Sequence, residues 1–184
     1  LKAQTPFSQD SALSYLKTIA VDIGARPIGS PNERKAMELY KQATEIIDDK
    51  RLQNLFKHLA KDEEMHLSLL DKAESMFVEK EEYPVSSIFI DSVTKNRVDK
   101  LLLEFQKQLK EKSINKKTLL ELVVKIESCE WNDIFVYIMD LCSELTPSFQ
   151  KIPAKIECHK KNIDFFLDNL PEEIRPEINL KNLA

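Results

Sequence analysis

Three histidines, and the acids spaced around them, are the groups in this 184-residue sequence with the most chemistry to offer. Glu63 and His66 form a Glu-x-x-His pair within Asp62-Glu63-Glu64-Met65-His66. Residues three apart share one face of an α-helix, so a carboxylate oxygen and an imidazole nitrogen can converge there on one ion. His159, in Ile156-Glu157-Cys158-His159, occupies a comparable place late in the chain. Carboxylate-and-imidazole sets of this kind suit iron or manganese inside a helical bundle. His58 follows Lys57 and reads as exposed. Cys129, Cys142 and Cys158 are an odd, sparse set without a Cys-x-x-Cys pair. Neither a disulfide framework nor a thiolate metal cluster is expected, and a reducing cytoplasm is the expected compartment.

The elements that must position these groups are helices. Gly24 and Gly29 are the only glycines, so the remaining 155 residues from position 30 contain none. Nucleotide-binding loops and turn-rich β-domains need glycine where φ is positive or backbone meets phosphate, and both are excluded on that ground. From Asp10 to Ile23, Leu13, Leu16, Ile19, Ala20 and Ile23 recur at helical spacing, predicting an extra N-terminal helix. The glycine-proline stretch GARPIGSP then makes a hinge. Ser30 reads as an N-cap with Pro31 at the first helical position and Glu33 completing a capping box. That helix carries Ala36, Leu39, Tyr40, Ala43 and Ile47 and ends near Asp48-Asp49. The next follows at once, with Leu52, Leu55, Phe56, Leu59, His66, Leu69, Leu70 and Ala73 along its inner stripe.

A long connection, 78–115, holds Pro84 and a further helix through Val98, Leu101, Leu102, Phe105 and Leu109. A third long helix is predicted over Thr118–Leu145, and a fourth from Thr146-Pro147 to Leu170. Pro153 should kink that fourth helix or move its start downstream. Two helical hairpins joined by one long crossover are the plan of a four-helix bundle. The expected organisation is all-α: residues 1–30 as helix and hinge, 31–170 as bundle, and 171–184 as a surface tail.

Charge and hydropathy narrow the partners. Twenty-seven basic against thirty-one acidic residues leave a net charge of −4. Nucleic-acid binding is not expected, since its footprint would be basic and only the stretch Lys107 to Lys117 offers one. No run approaches the ~18 apolar residues that cross a bilayer, and Leu1 onward lacks a signal peptide's basic-then-apolar order.

Glu33 to Ala43, followed by Leu55 to His66, resembles the first half of a rubrerythrin-type ferritin-like domain. That family places a ligand glutamate seven residues before a tyrosine on one helix and Glu-x-x-His on the next. The resemblance thus implies metal ligation by Glu33, Glu63 and His66. In the second half, residues 120–127 (LELVVKIE) resemble the approach to the family's second glutamate, implying Glu127. Glu130, seven residues before Tyr137, is the alternative, and His159 matches the second histidine. The family's remaining glutamate would fall at position 156, where this chain has Ile156; Glu157 is rotated about 100° away and does not replace it. The resemblance covers roughly residues 31–76 and 118–168. It implies iron or manganese in a di-metal or asymmetric site, or one that has lost its metal in part or whole. It also implies an oxidase, peroxidase or iron-handling role, with an external electron donor because no rubredoxin-like module is present. Residues 14–36 (SYLKTIAVDIGARPIGSPNERKA) separately resemble the N-terminal lead-in of one class of zinc aminopeptidases, but nothing downstream resembles their metal-binding or catalytic segments.

Two functions follow as expectations. One is a metal-binding ferritin-like protein and oxidoreductase. The other is a metal-free bundle, dimeric through its long connection, acting as an interaction or scaffolding module. Glu33 itself has two readings, helix cap and ligand, and both stay open at the level of sequence.

Overall fold

A computed structural model describes residues 31–80, 92–111, 114–129 and 146–177, together with 135, 136, 139, 142 and 143. The described residues are all-helical and contain no strand. The N-terminal helix and hinge, the Ser30 cap, Pro84, Glu130 and Tyr137 lie outside them. Five α-helices are fully described, in the order α1 Pro31–Ile46, α2 Lys50–Lys80, α3 Ser92–Lys110, α4 Lys116–Glu127 and α5 Ile152–Asp168. None of the described helices is long and apolar enough to cross a membrane.

The α1–α2 junction is short and well tied. Gln53 Nε2 donates to the Ile47 carbonyl at 2.6 Å, and Asp49 Oδ1 accepts from the Arg51 backbone N–H at 3.0 Å. These contacts satisfy polar groups that the break between helices would otherwise strand. Lys116 Nζ lies 3.6 Å from Asp49 Oδ2, linking the start of α4 to the same corner.

One apolar core joins the helices. Tyr40, Phe56 and Phe105, from α1, α2 and α3, form a ring cluster with centroid separations of 5.6 to 6.0 Å, and all three are fully buried. Burying such side chains contributes about 1.5–3 kcal/mol each. Leu119, Leu120, Val123 and Val124 bring α4 onto this cluster, while Ile163 and Leu167 do so for α5. Helix α1 packs closely on α2 and α3, and α3 on α4; among the described helices α5 has no neighbour that close.

One expected element needs correction. The third long helix does not run unbroken to Leu145, because α4 stops at Glu127. Ser128 Oγ turns back to the Val124 carbonyl at 2.7 Å, and Cys129 N–H bonds Ile126 O at 3.2 Å, tightening and ending the last turn. Its start is close to the expected one: Asn115 Oδ1 caps Thr118 N–H at 3.1 Å, and the helix opens at Lys116. The fourth helix begins downstream of Thr146, the later start that Pro153 allowed as the alternative to a kink. A short 3₁₀ turn, Pro147–Phe149, comes first, and α5 starts at Ile152 with Pro153 in its first turn. A proline is harmless there, because its missing N–H would have had no intrahelical partner. Beyond α5 the chain folds back, with the Arg175 guanidinium on the Leu170 carbonyl at 2.7 Å and Lys117 Nζ on Glu177 Oε1 at 2.6 Å.

Candidate metal centre

Four helices deliver ionisable side chains to one buried level of the molecule. Helix α1 supplies Glu33 and Tyr40, α2 supplies Asp62, Glu63 and His66, α4 supplies Glu127, and α5 supplies His159. Glu33 and Glu63 are 5% exposed, His66 3% and Glu127 2%. Carboxylates rarely enter a core unless something compensates their charge.

Glu127 is the best-partnered of them. Tyr40 Oη donates to its Oε1 at 2.8 Å, and His159 Nε2 lies 3.2 Å from its Oε2. His159 Nδ1 in turn meets Asp62 Oδ2 at 2.8 Å. Burial opposes a charged ring at His159, but the hydrogen bonds to Asp62 and Glu127 outweigh it and push the imidazole up to about 10. It therefore stands as an imidazolium donating from both nitrogens, between two carboxylates. Burial likewise pushes Glu127 and Asp62 up, and the bonds to His159 more than reverse this, holding both below the usual carboxylate range. Tyr40, buried and facing Glu127, is raised and keeps its proton to donate.

The other half of the cluster is poorer in partners. Burial, with Glu127 and Glu33 nearby, raises Glu63 well above its ordinary value. His66 Nδ1 lies 3.3 Å from Glu63 Oε2, and the ring tilts against Phe135 at 4.4 Å between centroids. Burial lowers His66, so its ring is neutral at physiological pH. Its Nε2 is buried with no hydrogen-bond partner among the described residues. A space of about 20 Å³ beside Glu33 and Glu63, lined also by Asn32, Ala36, Val98, Leu102, Ile126 and Cys129, is about the size of one water-sized probe.

These side chains can be tested against the iron or manganese the sequence resemblance implies. By chemistry they fit: carboxylates and neutral imidazole are the donors such ions take, and His66 Nε2 is a buried ring nitrogen without a hydrogen-bond partner. By spacing, no group of three or more His, Cys, Asp or Glu residues among the described residues stands ready to hold an ion. Glu127 and His159 are turned toward each other, and Glu63 toward His66. Ligation would exchange these mutual contacts for contacts with a cation.

Of the residues singled out from sequence, Glu33, Glu63, His66, Glu127 and His159 are brought together, and Glu130 lies outside the described residues. His58 is exposed, as expected, with Nδ1 on the Asn54 carbonyl at 2.6 Å. Asp62 and the hydroxyl of Tyr40 join this buried network without having been singled out as site residues from the sequence. Asp62 looked like one more surface acid beside Glu63, yet the turn of the helix points it at α5. No family model, curated protein or solved structure matches the chain.

The imidazolium gives a pH dependence whose sign is fixed. His159 is raised to about 10 in the folded protein, against about 6.5 when unfolded. Its contribution is complete below about 6.5 and is lost as pH rises through about 10. Without added metal, the urea midpoint should fall between about pH 7 and pH 10, and fall less in His159→Asn. Equal slopes in the two proteins would remove His159 from this account.

Proposed function

We propose that the chain is a ferritin-like four-helix bundle that binds iron or manganese, with Glu33, Glu63, His66, Glu127 and His159 as its ligands. The observation that carries this reading is the unpartnered, buried Nε2 of His66 amid an excess of buried carboxylate. Four acids, Glu33, Asp62, Glu63 and Glu127, face one imidazolium and one neutral imidazole. Burial first, and then the nearby Glu127 and Glu33, raise Glu63, and a divalent cation would offset both.

When bound, the metal supplies one-electron chemistry toward oxygen or peroxide, which is how an oxidase, peroxidase or iron-handling role would arise. The chain's own residues do the rest. Asp62 holds His159 through Nδ1 and so fixes which nitrogen faces the centre. Tyr40 orients the Glu127 carboxylate from the opposite side. Phe135 packs against the His66 ring and helps to bury it. With Ile156 buried where the family would place its remaining glutamate, the ligand set is asymmetric, and one tightly held ion is expected rather than two.

A second reading is favoured by the same buried Ile156 and by the mutual pairing of Glu127 with His159. In it, the bundle has lost its metal and keeps the polar cluster as structure, serving as an interaction module. Elemental analysis separates the two. Protein purified without chelator and loaded anaerobically with ferrous or manganous ion should hold about one equivalent, and Glu63→Ala/His66→Ala should hold none. Metal near zero in the unmodified protein would leave the second reading standing.

A further inference from the structure

Helices α2 and α5 leave between them a groove of about 640 Å³. Leu55, Leu59, Met65, Ile163 and Phe166 give it an apolar lining, and Phe165, 72% exposed, stands on its rim. Asp62 and His159 line it too, 2.8 Å apart, so whatever fills the groove also shields that pair from water. The pair sets the register of the two helices. Counting outward from it in opposite directions brings Leu170 level with Arg51 and Lys155 beside Met65. All four line the groove, so α2 and α5 are antiparallel. From Arg51 to Met65 the groove runs about 21 Å along α2.

Length, reach and charge name a segment of this chain as the occupant. Residues 10–23, outside the described residues, carry the stripe Leu13, Leu16, Ile19, Ala20 and Ile23 at helical spacing. A helix over those 14 residues is also about 21 Å long, and alone in water it is marginal. Helix α1 returns along α2 after their short junction, so Pro31 stands level with Met65, at one end of the groove. Residues 24–30 can span up to ~23 Å, about twice the width of a helix, and so reach it. With that hinge at the Met65 end, Asp22 falls beside Lys155 and Asp10 beside Arg51. The flanks agree as well. Around a helix Asp10 and Lys17 lie on one side of the stripe and Asp22 on the other; Arg51 and Asp62 belong to α2, and Lys155 to α5.

We propose that residues 10–23 form a helix seated in the α2–α5 groove, stripe inward, covering the Asp62–His159 pair. A tethered segment meets its seat at an effective concentration of about millimolar, so it needs far less buried surface than a free partner. The seat goes beyond the metal reading and does not depend on it.

Two measurements on the full, metal-free chain test it. Cys158 lines the groove, while Cys129 and Cys142 are buried, so one thiol reports on whether the groove is covered. Alkylation of Cys158 by iodoacetamide should be slow in the unmodified protein and at least about tenfold faster in Leu16→Glu/Ile19→Glu, which puts charge into the apolar stripe. Leu103→Glu, an exposed apolar position on α3 away from the groove, should label as the unmodified protein does. Hydrogen exchange of the unmodified protein needs no variant to fold: the amides of residues 10–23 should be protected, because a helix that short holds only when packed. Unprotected amides there overturn the proposal, as do equal Cys158 rates in the unmodified protein and the double variant. Cys158 protection that rises with protein concentration overturns it too, by assigning the groove to a second copy.

Discussion

Glu127→Ala is expected to destabilise the metal-free protein by about 3–5 kcal/mol, read as a drop in the urea midpoint at neutral pH. The size follows from what the substitution strands. Glu127 is 2% exposed and receives the Tyr40 hydroxyl at 2.8 Å and the His159 ring at 3.2 Å. Without it, a phenol with no exposure loses its acceptor, and an imidazolium keeps only Asp62 for company. Removing one member of a buried charge pair costs more than the pair contributes, because the other charge stays behind uncompensated. His159 should then fall back from about 10 toward its ordinary value, and its imidazole resonances should titrate nearer neutrality. Tyr40→Phe provides the comparison: it removes one neutral hydrogen bond and should cost only about 1 kcal/mol. Comparable losses for the two variants would mean that Glu127 sits in a wetter site than its burial implies.

That contrast also marks what could be read from the sequence. Helices α1 and α2 were legible because Ala36, Leu39, Tyr40 and Ala43, then Leu52, Leu55, Phe56 and Leu59, repeat at helical spacing and all become core. The α3 helix through Val98, Leu102, Phe105 and Leu109 was legible for the same reason. Where α4 ends was not. Ser128 stops it by a side-chain bond to the preceding turn, and no glycine or proline announces that kind of stop. The start of α5 was half legible, because Pro153 demanded either a kink or a later start, and only packing chose between them.

The candidate site divides along the same line. Glu63 and His66 are neighbours on one helix, so their spacing exposes them. Tyr40 and Glu127 are 87 positions apart, and no local pattern assigns the tyrosine hydroxyl an acceptor. Asp62 was hidden differently. It sits one residue, about 100° of helical rotation, from Glu63, and its role appears only when α5 brings His159 within 2.8 Å.

Glu63→Gln should move stability and metal binding in opposite directions. In the folded protein burial, together with Glu127 and Glu33, raises the Glu63 carboxyl well above its unfolded value. A carboxyl raised in this way favours folding when protonated and opposes it increasingly as pH climbs through the raised value. At neutral pH the wild-type side chain therefore carries a cost that a neutral, near-isosteric amide does not. The metal-free variant is expected to gain about 1–3 kcal/mol, seen as a higher melting temperature, and the gain should shrink as pH is lowered toward 5. Metal reverses the comparison. The wild-type protein should melt higher when iron or manganese is added, because a ligand that binds only the folded state stabilises it. The amide is a poorer donor to such an ion and should show little or no rise. A group kept at a cost to the empty fold and recovered only with a cation is what a binding site requires and a structural polar cluster does not. If Glu63→Gln instead lowers the metal-free melting temperature, Glu63 contributes to the fold itself, and the case for a metal centre loses its physical basis.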